Sequence, residues 1–242
     1  MTGSTSGIGL GIATAFAKAG MDVTLNGLGD AAEIEKIRSG LEREAGVTVR
    51  YDGANLMQAE GCASLVEGAI GAFGRLDVLV NNAGMSPKGP NGERLTSLTT
   101  PVSTWMTVFH VNFLAPILMA RGLFDELKAA QGAVVNVTSI VGSRVHPFAG
   151  AAYATSKAAL ACLTREMAFD FAPSNIRVNA IAPGEIKTDI LSPETEARLA
   201  PTIPMRRIGT AEEVAKVIFF LCSSAASYVT GEEIQINGGQ HV

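Results

Sequence analysis

The chain has few of the residues that crosslink small domains or hold metal ions in clusters. Its 242 residues include only three cysteines, Cys62, Cys162 and Cys222. They are odd in number, far apart and embedded in apolar helical patterns, which excludes a disulfide framework and a zinc cluster. We expect buried free thiols and no metal site.

The chain also lacks an excess of either charge. Its 19 basic and 23 acidic residues give a net charge of -4 and are interspersed. Without a basic stripe to neutralise phosphates, a nucleic-acid partner is disfavoured. No apolar run approaches the ~18 residues of a membrane span, and the first residues resemble no signal peptide. We expect a cytoplasmic protein with no membrane partner.

Apolar residues and glycine are plentiful, with 47% hydrophobic residues and 26 glycines. This composition suits one α/β domain over residues 1–242. Strand-like and helix-like segments alternate, which predicts a doubly wound parallel sheet. The predicted strands are 21–25, 47–51, 76–80, 133–138, 177–181 and 233–236; the predicted helices are 10–19, 31–45, 59–73, 103–128, 151–171 and 211–221.

Two long irregular stretches, 83–100 and 184–207, each follow a predicted strand. Such loops open at the carboxyl edge of a parallel sheet, where these folds bind ligands. Ser192, Pro193 and Glu194 have the pattern of a helix start, with serine as the cap and proline in the first turn. We therefore expect residues 184–207 to form a substrate lid containing a short helix that ends near Ala200.

A glycine loop, Thr2 to Gly9, precedes the first predicted helix with the spacing Gly-x3-Gly-x-Gly. Glycines let a backbone turn tightly and approach a pyrophosphate, which the free amides of a helix N-terminus attract. Many turns use glycine with no ligand present, so the motif alone leaves that alternative open.

A loop of this kind is expected to follow a buried central strand, yet only Met1 precedes Thr2. Either the sequence starts inside a longer reading frame, or the protein exists without that strand. Each buried side chain of a strand contributes roughly 1.5 to 3 kcal/mol. Because this sum is comparable to the whole stability of a domain, we favour the first explanation.

Tyr153 and Lys157 lie four residues apart, so on a helix they share a face. A neighbouring ammonium lowers the pKa of a phenol from its usual ~10. Lowering this pKa to about 7 takes about three pKa units, or roughly 4 kcal/mol. One partly hydrated ammonium does not supply that much. An acid/base tyrosine here therefore needs a second cation nearby. A packing role for the tyrosine is the alternative.

Several short motifs occur together and in order along the chain: Thr2 to Gly9, Asn81-Asn82-Ala83-Gly84, Asn112, Ser139, Tyr153, Lys157 and Pro183-Gly184. With these motifs the chain resembles the short-chain dehydrogenase/reductase family over its whole length. Residues 2–56 are further similar to the 3-hydroxybutyrate dehydrogenase branch. The resemblance implies a Rossmann-type sheet of order 3-2-1-4-5-6-7, whose first strand is missing from this sequence.

The resemblance also implies the site residues. Tyr153 would exchange a proton with the substrate oxygen, and Ser139 would hydrogen-bond that oxygen. Lys157 would bind the nicotinamide ribose and lower the tyrosine pKa, while Asn112 would fix a water in the proton relay. The residues implied to bind the dinucleotide are Gly3, Ser6, Gly7, Ile8, Gly9, Asn26, Asn55, Leu56, Asn81, Ala83, Gly84, Tyr153, Lys157, Pro183, Gly184, Ile186 and Thr188. The oxidised nicotinamide would be the second cation.

The cofactor is expected to be NAD rather than NADP. An acidic side chain near the adenosine ribose accepts from its 2′-hydroxyl, whereas arginine pairs with a 2′-phosphate. Asn26, Gly27, Leu28 and Gly29 contain no basic residue, and Ser6 stands where NADP-using relatives often carry one.

The implied reaction interconverts a secondary alcohol and a ketone. The pocket should be walled by 85–94, 140–148 and 185–205, and the Ser139 to Tyr153 spacing is one residue longer than is common, which predicts a bulged loop. Arg144, His146, Lys88 and Arg94 are candidates to bind a substrate carboxylate, with simple solvation as the alternative.

An alanine-rich helix around Tyr153 and the resemblance together imply a homotetramer, although packing within one chain also explains the alanines. Three other functions stay open. They are an NADPH-dependent 3-oxoacyl thioester reductase, a non-catalytic dinucleotide-binding protein and a truncated inactive form.

Overall fold

The computed structural model describes residues 1–188 and 193–242. The amino-terminal half contains α1 (Gly7–Lys18), β1 (Val23–Asn26), α2 (Ala31–Ala45), β2 (Val49–Asp52), α3 (Ala59–Phe73) and β3 (Val78–Asn81). It continues through α4 (Val102–Phe109), a π-helical turn (His110–Leu114), α5 (Ala115–Gly122) and α6 (Phe124–Ala130). Local sequence explains these ends: Asp30 caps α2 by accepting from Ala32 and Glu33, and Gly46 ends it in a left-handed conformation.

The carboxyl-terminal half contains β4 (Ala133–Val137), α7 (Ala151–Phe171), β5 (Arg177–Pro183) and the short β6 (Ile186–Lys187). It ends with α8 (Pro193–Leu199), the short β7 (Gly209–Thr210), α9 (Ala211–Cys222) and β8 (Glu233–Ile236). The predicted lid helix is therefore present as α8, followed by a 3-10 turn at Ala200–Thr202. Ser192, its predicted cap, lies outside the described residues.

The strands pair in parallel, as the alternating pattern predicts. One group has the order β3-β4-β5-β8, and a second consists of β1 beside β2. The prediction of an α/β fold with a parallel sheet is confirmed. In the described residues β1 and β3 are not joined by backbone hydrogen bonds, and a cavity of about 300 Å³ lies between them.

Two apolar cores cover the two faces of the strands. Along β3, Val80 packs into the core formed with α1 and α9, while Leu79 packs into the core formed with α3 and α5. Alternate residues of β4 divide in the same way. Since successive side chains of a strand point to opposite faces, helices lie on both sides of the sheet.

The predicted helix 103–128 is wrong in detail, because it is divided into α4, the π turn, α5 and α6. The π turn contains Asn112, whose side chain is fully buried and bonded to other elements. Leu123 ends α5 outside helical geometry. Such tertiary contacts leave no local signal in the sequence.

The helical stretch Val102–Gly122 is the only one in the described residues whose length and apolar composition match a membrane span, and 33% of it is buried. Core helices of water-soluble proteins have the same composition, so this match is weak evidence. The prediction of three buried thiols is also corrected: Cys62 is buried, Cys222 is partly buried and Cys162 is exposed.

Candidate active site

The glycine loop adopts the conformations that its glycines permit. Gly3 and Gly7 have φ angles of +59° and +54°, in the left-handed region. A Cβ atom on Gly3 would lie 2.8 Å from the Ala83 Cα, and one on Gly9 would collide with the Gly3 carbonyl oxygen. The absence of side chains therefore lets α1 and the loop pack against residue 83.

The start of α1 is open to a ligand. Ser6 is exposed at the N-cap position and makes no side-chain capping bond. Gly7 lies next to Thr188, whose methyl group would be 3.4 Å from a Cβ atom at Gly7. Ile8 is turned away and packs against the core. A helix N-terminus with an unused serine and a bare glycine suits a pyrophosphate.

Thr2 and Asn82 hold the loop in place, and the sequence interpretation missed both roles. The side-chain amide of Asn82 donates to the backbone carbonyls of Thr2 and Gly3 at 3.1 and 2.7 Å. The Thr2 hydroxyl accepts from the backbone N–H groups of Asn82 and Ala83, each at 3.0 Å. The only indication of these roles in the sequence is that an Asn-Asn-Ala-Gly segment and a glycine loop occur in the same chain.

Asn26 makes several hydrogen bonds within the protein, and its contact with a dinucleotide stays a prediction. It is 2% exposed, and its side-chain amide donates to the carbonyls of Asp52 and Ala54, both at 3.0 Å. Its side-chain oxygen accepts from the Gly3 amide at 3.5 Å. Asn26 thus ties three loops together at the dinucleotide end of the sheet, and both amide protons are already used.

The remaining residues predicted for the adenosine side lie at the same edge. Asn55 accepts from the Met57 amide in a turn, and Leu56 is buried in the core. Asn81 is buried and donates to Asn136, while its side-chain oxygen has no partner within the described protein. The side chains of these residues mainly contact other parts of the protein and lie around the edge of the site.

Ser139 and Tyr153 meet at the end of β4 and the start of α7. Burial raises the pKa of the Tyr153 phenol, and the Glu185 carboxylate raises it further, while the Ser139 hydroxyl lowers it. The protein alone therefore raises the pKa, where the sequence predicted that Lys157 would lower it.

Lys157 is 3% exposed and lies one turn beyond Tyr153 on α7. Its ammonium donates to the Val137 carbonyl at 2.6 Å and lies 5.9 Å from the centre of the Tyr153 ring. Burial lowers the pKa of Lys157 to about 8. With one proton bound to a carbonyl, two remain for ligand hydroxyls.

Asn112 reaches the same place from the π turn. It donates to the Ser156 hydroxyl at 2.9 Å and to the Met85 carbonyl at 3.1 Å, and it accepts from the Met85 amide at 2.8 Å. A Cβ atom on Gly84 would lie 3.3 Å from the Lys157 ammonium and 3.5 Å from the Asn112 oxygen. Gly84 thus keeps space free between these two groups. A water held there by Asn112 stays a prediction.

Glu185 and His146 form a pair that the sequence interpretation did not assign. The His146 Nε2 lies 3.2 Å from a Glu185 oxygen, and its Nδ1 accepts from the Phe148 amide at 3.3 Å. Since Nδ1 accepts, the neutral tautomer carries its proton on Nε2 and donates it to Glu185. The only indication of this pair in the sequence is the glutamate directly after Pro183-Gly184.

The backbone at the end of β5 is held by residues near the carboxyl terminus of the chain. Pro183 is buried, and the Gly184 amide donates to the Ile236 carbonyl at 2.9 Å. A side chain on Gly184 would collide with Gln240. Ile186 is 8% exposed and belongs to the core, so only its backbone remains for a ligand.

A cavity of about 450 Å³ adjoins Ser139 through Ile140, and the bulged loop and α8 line it. Its basic residues are Arg144, His146 and Arg198. Two candidates for binding a substrate carboxylate are used elsewhere: Lys88 donates to the Phe148 carbonyl, and Arg94 donates to Ala149 at 2.7 Å. Both side chains therefore hold the loop that contains residues 148 and 149. Arg144 is the remaining predicted candidate for binding a substrate carboxylate.

These features fit a dinucleotide laid along the carboxyl edge of the strands. The N-terminus of α1, with its unused serine, would receive the pyrophosphate, and the space that Gly84 leaves beside Lys157 would receive the ribose. The described residues contain no cluster of ligating side chains for a metal ion.

Comparison with known proteins agrees with this geometry. A family model described as "Enoyl-(Acyl carrier protein) reductase" matches residues 3–241. The 3-oxoacyl-[acyl-carrier-protein] reductase FabG of Aquifex aeolicus is 37% identical over 247 residues, covering 99% of this chain and 95% of FabG. Protein FixR of Bradyrhizobium diazoefficiens is 73% identical over 167 residues, which are 69% of this chain but only 60% of FixR.

A solved structure resembles this one over nearly its whole length. It is a short-chain dehydrogenase/reductase family oxidoreductase from Brucella ovis in complex with a partially ordered NAD, 48% identical with a TM-score of 0.80. The match covers 98% of this chain and 97% of that protein. The comparisons show no particular relation to the 3-hydroxybutyrate dehydrogenase branch.

Proposed function

This chain belongs to the short-chain dehydrogenase/reductase family, and from its site we propose that it is an NAD-dependent oxidoreductase interconverting a secondary alcohol and a ketone. Family membership establishes an oxidoreductase of CH–OH or carbonyl groups that uses a nicotinamide dinucleotide. The observation that supports the finer proposal is the placement of buried Lys157 beside Tyr153 on α7, with space left next to its ammonium by Gly84 and with Ser139 acting on the Tyr153 pKa.

In this mechanism, Tyr153 exchanges the hydroxyl proton of the substrate and Ser139 holds the substrate oxygen. The bound dinucleotide would supply the hydride acceptor for oxidation, or the donor for reduction, and in its oxidised form a positive charge. Burial and the Glu185 carboxylate raise the Tyr153 pKa, so the phenol would lose its proton more readily beside positive charge. Lys157 would bind the ribose hydroxyls with its two free protons and would hold positive charge 5.9 Å from the centre of the phenol ring. General acid–base help of this kind typically contributes 10²–10⁴-fold.

NAD is favoured over NADP by the residues after β1. The N-terminus of α2, which would attract a phosphate, is already capped by the Asp30 carboxylate. No basic residue occurs from Asn26 to Asp30. A 2′-phosphate would thus meet a negative charge at the position where NADP-binding proteins place arginine.

The test is initial-rate oxidation with NAD and NADP across a panel of hydroxy acids, sugar alcohols, cyclic alcohols and acyl thioesters. We expect at least a tenfold preference for NAD in kcat/KM. The reverse reaction is measured as well: efficient reduction of a 3-oxoacyl thioester with NADPH would instead support the second candidate, which the similarity to FabG favours.

We further propose that residues 1–242 act as one domain with a substrate lid at 184–207. We also propose that the protein is cytoplasmic.

We propose that the protein assembles as a homotetramer. The apolar stretch Val102–Gly122 is only one-third buried, and α4 packs beside α7. Val102 and Met106 on α4 are 75% and 70% exposed. Covering this surface with a second copy removes apolar area from water.

A further inference from the structure

Tyr51 is an exposed residue of β2 that the proposed mechanism does not use. It lies opposite Leu25 of β1, and its hydroxyl donates to the Gly27 carbonyl at 2.9 Å. Because β1 ends at Asn26, this bond reaches the backbone directly after the strand. Residues at that position meet the adenosine ribose in dinucleotide-binding folds.

The segment 27–29 depends on Tyr51 for its position. In the part of the chain that the structure describes, the bond from Tyr51 is the only hydrogen bond that these three residues make. Leu28, in the middle of the segment, is 59% exposed, so its side chain adds little packing. A segment with one hydrogen bond and little buried surface is ordered mainly by that bond.

Gly27 also packs against the glycine loop. A Cβ atom at Gly27 would collide with the Thr5 hydroxyl and would lie 2.9 Å from the Thr5 methyl carbon. Thr5 directly precedes Ser6, the N-cap residue of α1. A shift of Gly27 therefore changes the support of the loop that would hold the pyrophosphate.

Gly53 leaves the space that the Tyr51 phenol occupies. A Cβ atom at Gly53 would lie 3.0 Å from the Tyr51 oxygen and 3.5 Å from the ring carbon that carries it. A side chain at this position would push the hydroxyl away from Gly27. The bare backbone of Gly53 thus belongs to the same arrangement as the Tyr51–Gly27 bond.

The side-chain donors at the end of β1 are already used. The Tyr51 hydroxyl proton goes to Gly27, and both amide protons of Asn26 go to backbone carbonyls. The Asp30 carboxylate accepts two backbone amides at the start of α2. The lone pairs that remain on these side chains can accept from a ribose hydroxyl, whereas they repel a phosphate, which has no proton to donate to them.

We propose that Tyr51 is a positioning residue for cofactor selection. By fixing Gly27, it holds the segment 27–29 where the 2′-hydroxyl of NAD is accepted and the 2′-phosphate of NADP is repelled. This inference rests on the proposed function of the site as an NAD site, and it assigns part of the selectivity to a residue outside the segment itself.

The test compares the parent protein with Tyr51→Phe and with the matched control Tyr228→Phe. The control removes the same hydroxyl group from a fully exposed tyrosine. The Kd values for NAD and for NADP are measured by calorimetry on each protein. The values of kcat and KM for NAD are measured with a single alcohol substrate that the parent oxidises.

We expect Tyr51→Phe to raise the Kd and the KM for NAD by about fivefold, the factor that one neutral hydrogen bond typically contributes. The Kd for NADP should stay the same or fall, because the released segment can move away from the phosphate. The value of kcat at saturating NAD should be unchanged, since Tyr51 is not a reacting group. The ratio of the two Kd values therefore falls about fivefold in Tyr51→Phe and stays constant in Tyr228→Phe.

Equal losses of NAD and NADP affinity in Tyr51→Phe would show a merely structural role and would overturn the proposal. A parent that prefers NAD, together with a Tyr51→Phe variant that keeps the full preference, would overturn the role of Tyr51 and leave the proposed function intact. A parent that binds NADP more tightly, or that binds neither dinucleotide, would contradict the proposed function and this inference with it.

Discussion

Burial and two neighbouring residues act on the pKa of Tyr153, and they do not all act in the same direction. Burial and the Glu185 carboxylate favour the neutral phenol, while Ser139 favours the phenolate. Lys157 is itself buried with a lowered pKa. In the proposed mechanism, the phenolate would therefore need further positive charge close to Tyr153.

The first prediction concerns Glu185. Replacing it by glutamine removes a charge that raises the Tyr153 pKa, while the amide oxygen can still accept from His146. Alcohol oxidation requires the phenolate, so kcat/KM rises as pH increases through this pKa. We expect the rising limb of the pH profile to move to lower pH in Glu185→Gln.

The matched control is Glu212→Gln, which removes an equal charge from α9, where Glu212 pairs with Lys216 at 2.8 Å. Its profile should overlay that of the parent. A limb in Glu185→Gln that stays in place, or moves to higher pH, would show that Glu185 does not act on Tyr153.

Single residues also show where sequence reasoning stops. Tyr153, Ser139, Lys157 and Asn112 were identified from short motifs. In the fold Ser139 acts on the pKa of Tyr153, and Lys157 and Asn112 both lie beside Gly84. The hydrogen bonds of Asn26 to Asp52 and Ala54 could not be predicted, because these partners lie on another loop that no local pattern connects to it.

At the scale of elements, prediction succeeded where local chemistry determines the boundary. The bounds of α2, α3 and α7 agree with the sequence prediction. Asp30 caps α2, and Gly46 and Gly74 end α2 and α3 in left-handed conformations. The stretch from Val102 to Ala130 could not be divided correctly, since its π turn depends on contacts of Asn112 with Met85 and Ser156.

The second prediction tests the fit between α1 and the glycine loop. In Gly9→Ala the new methyl group would meet the Gly3 carbonyl and the Asn82 amide, so the loop must move. We expect the Kd for NAD, measured by calorimetry, to rise at least tenfold.

Gly40→Ala in α2 is the matched control, because a Cβ atom at this position meets nothing within 4 Å. It should leave NAD affinity unchanged and stabilise the helix by about 0.5–1 kcal/mol. An equal loss of affinity in both variants would show a general effect of the substitution, and tight NAD binding by Gly9→Ala would contradict the packing argument.

At the scale of the whole molecule, the sequence predicted the alternation of elements and a doubly wound parallel sheet. What it could not show is how the two groups of strands meet. In the structure Met1 bonds to Thr24 of β1, Thr2 bonds to Val80 of β3, and a cavity remains beside Met1.

The third prediction concerns assembly. If α4 forms an interface between copies, then Met106→Glu places a charge in it, and light scattering after gel filtration should show a smaller assembly. Met57→Glu is the control, since Met57 is 44% exposed on the turn before α3. A parent protein that is already monomeric, or an unchanged mass in Met106→Glu, would contradict this interface.

The central claim is that Tyr153 transfers the substrate proton in a dinucleotide-dependent oxidation. The direct measurement is kcat for NAD-linked turnover in Tyr153→Phe, with the Kd for NAD measured on the same preparation. We expect kcat to fall by about 10² or more while NAD affinity stays within about twofold, since only the hydroxyl is lost. A Phe variant that turns over near the parent rate would contradict the mechanism.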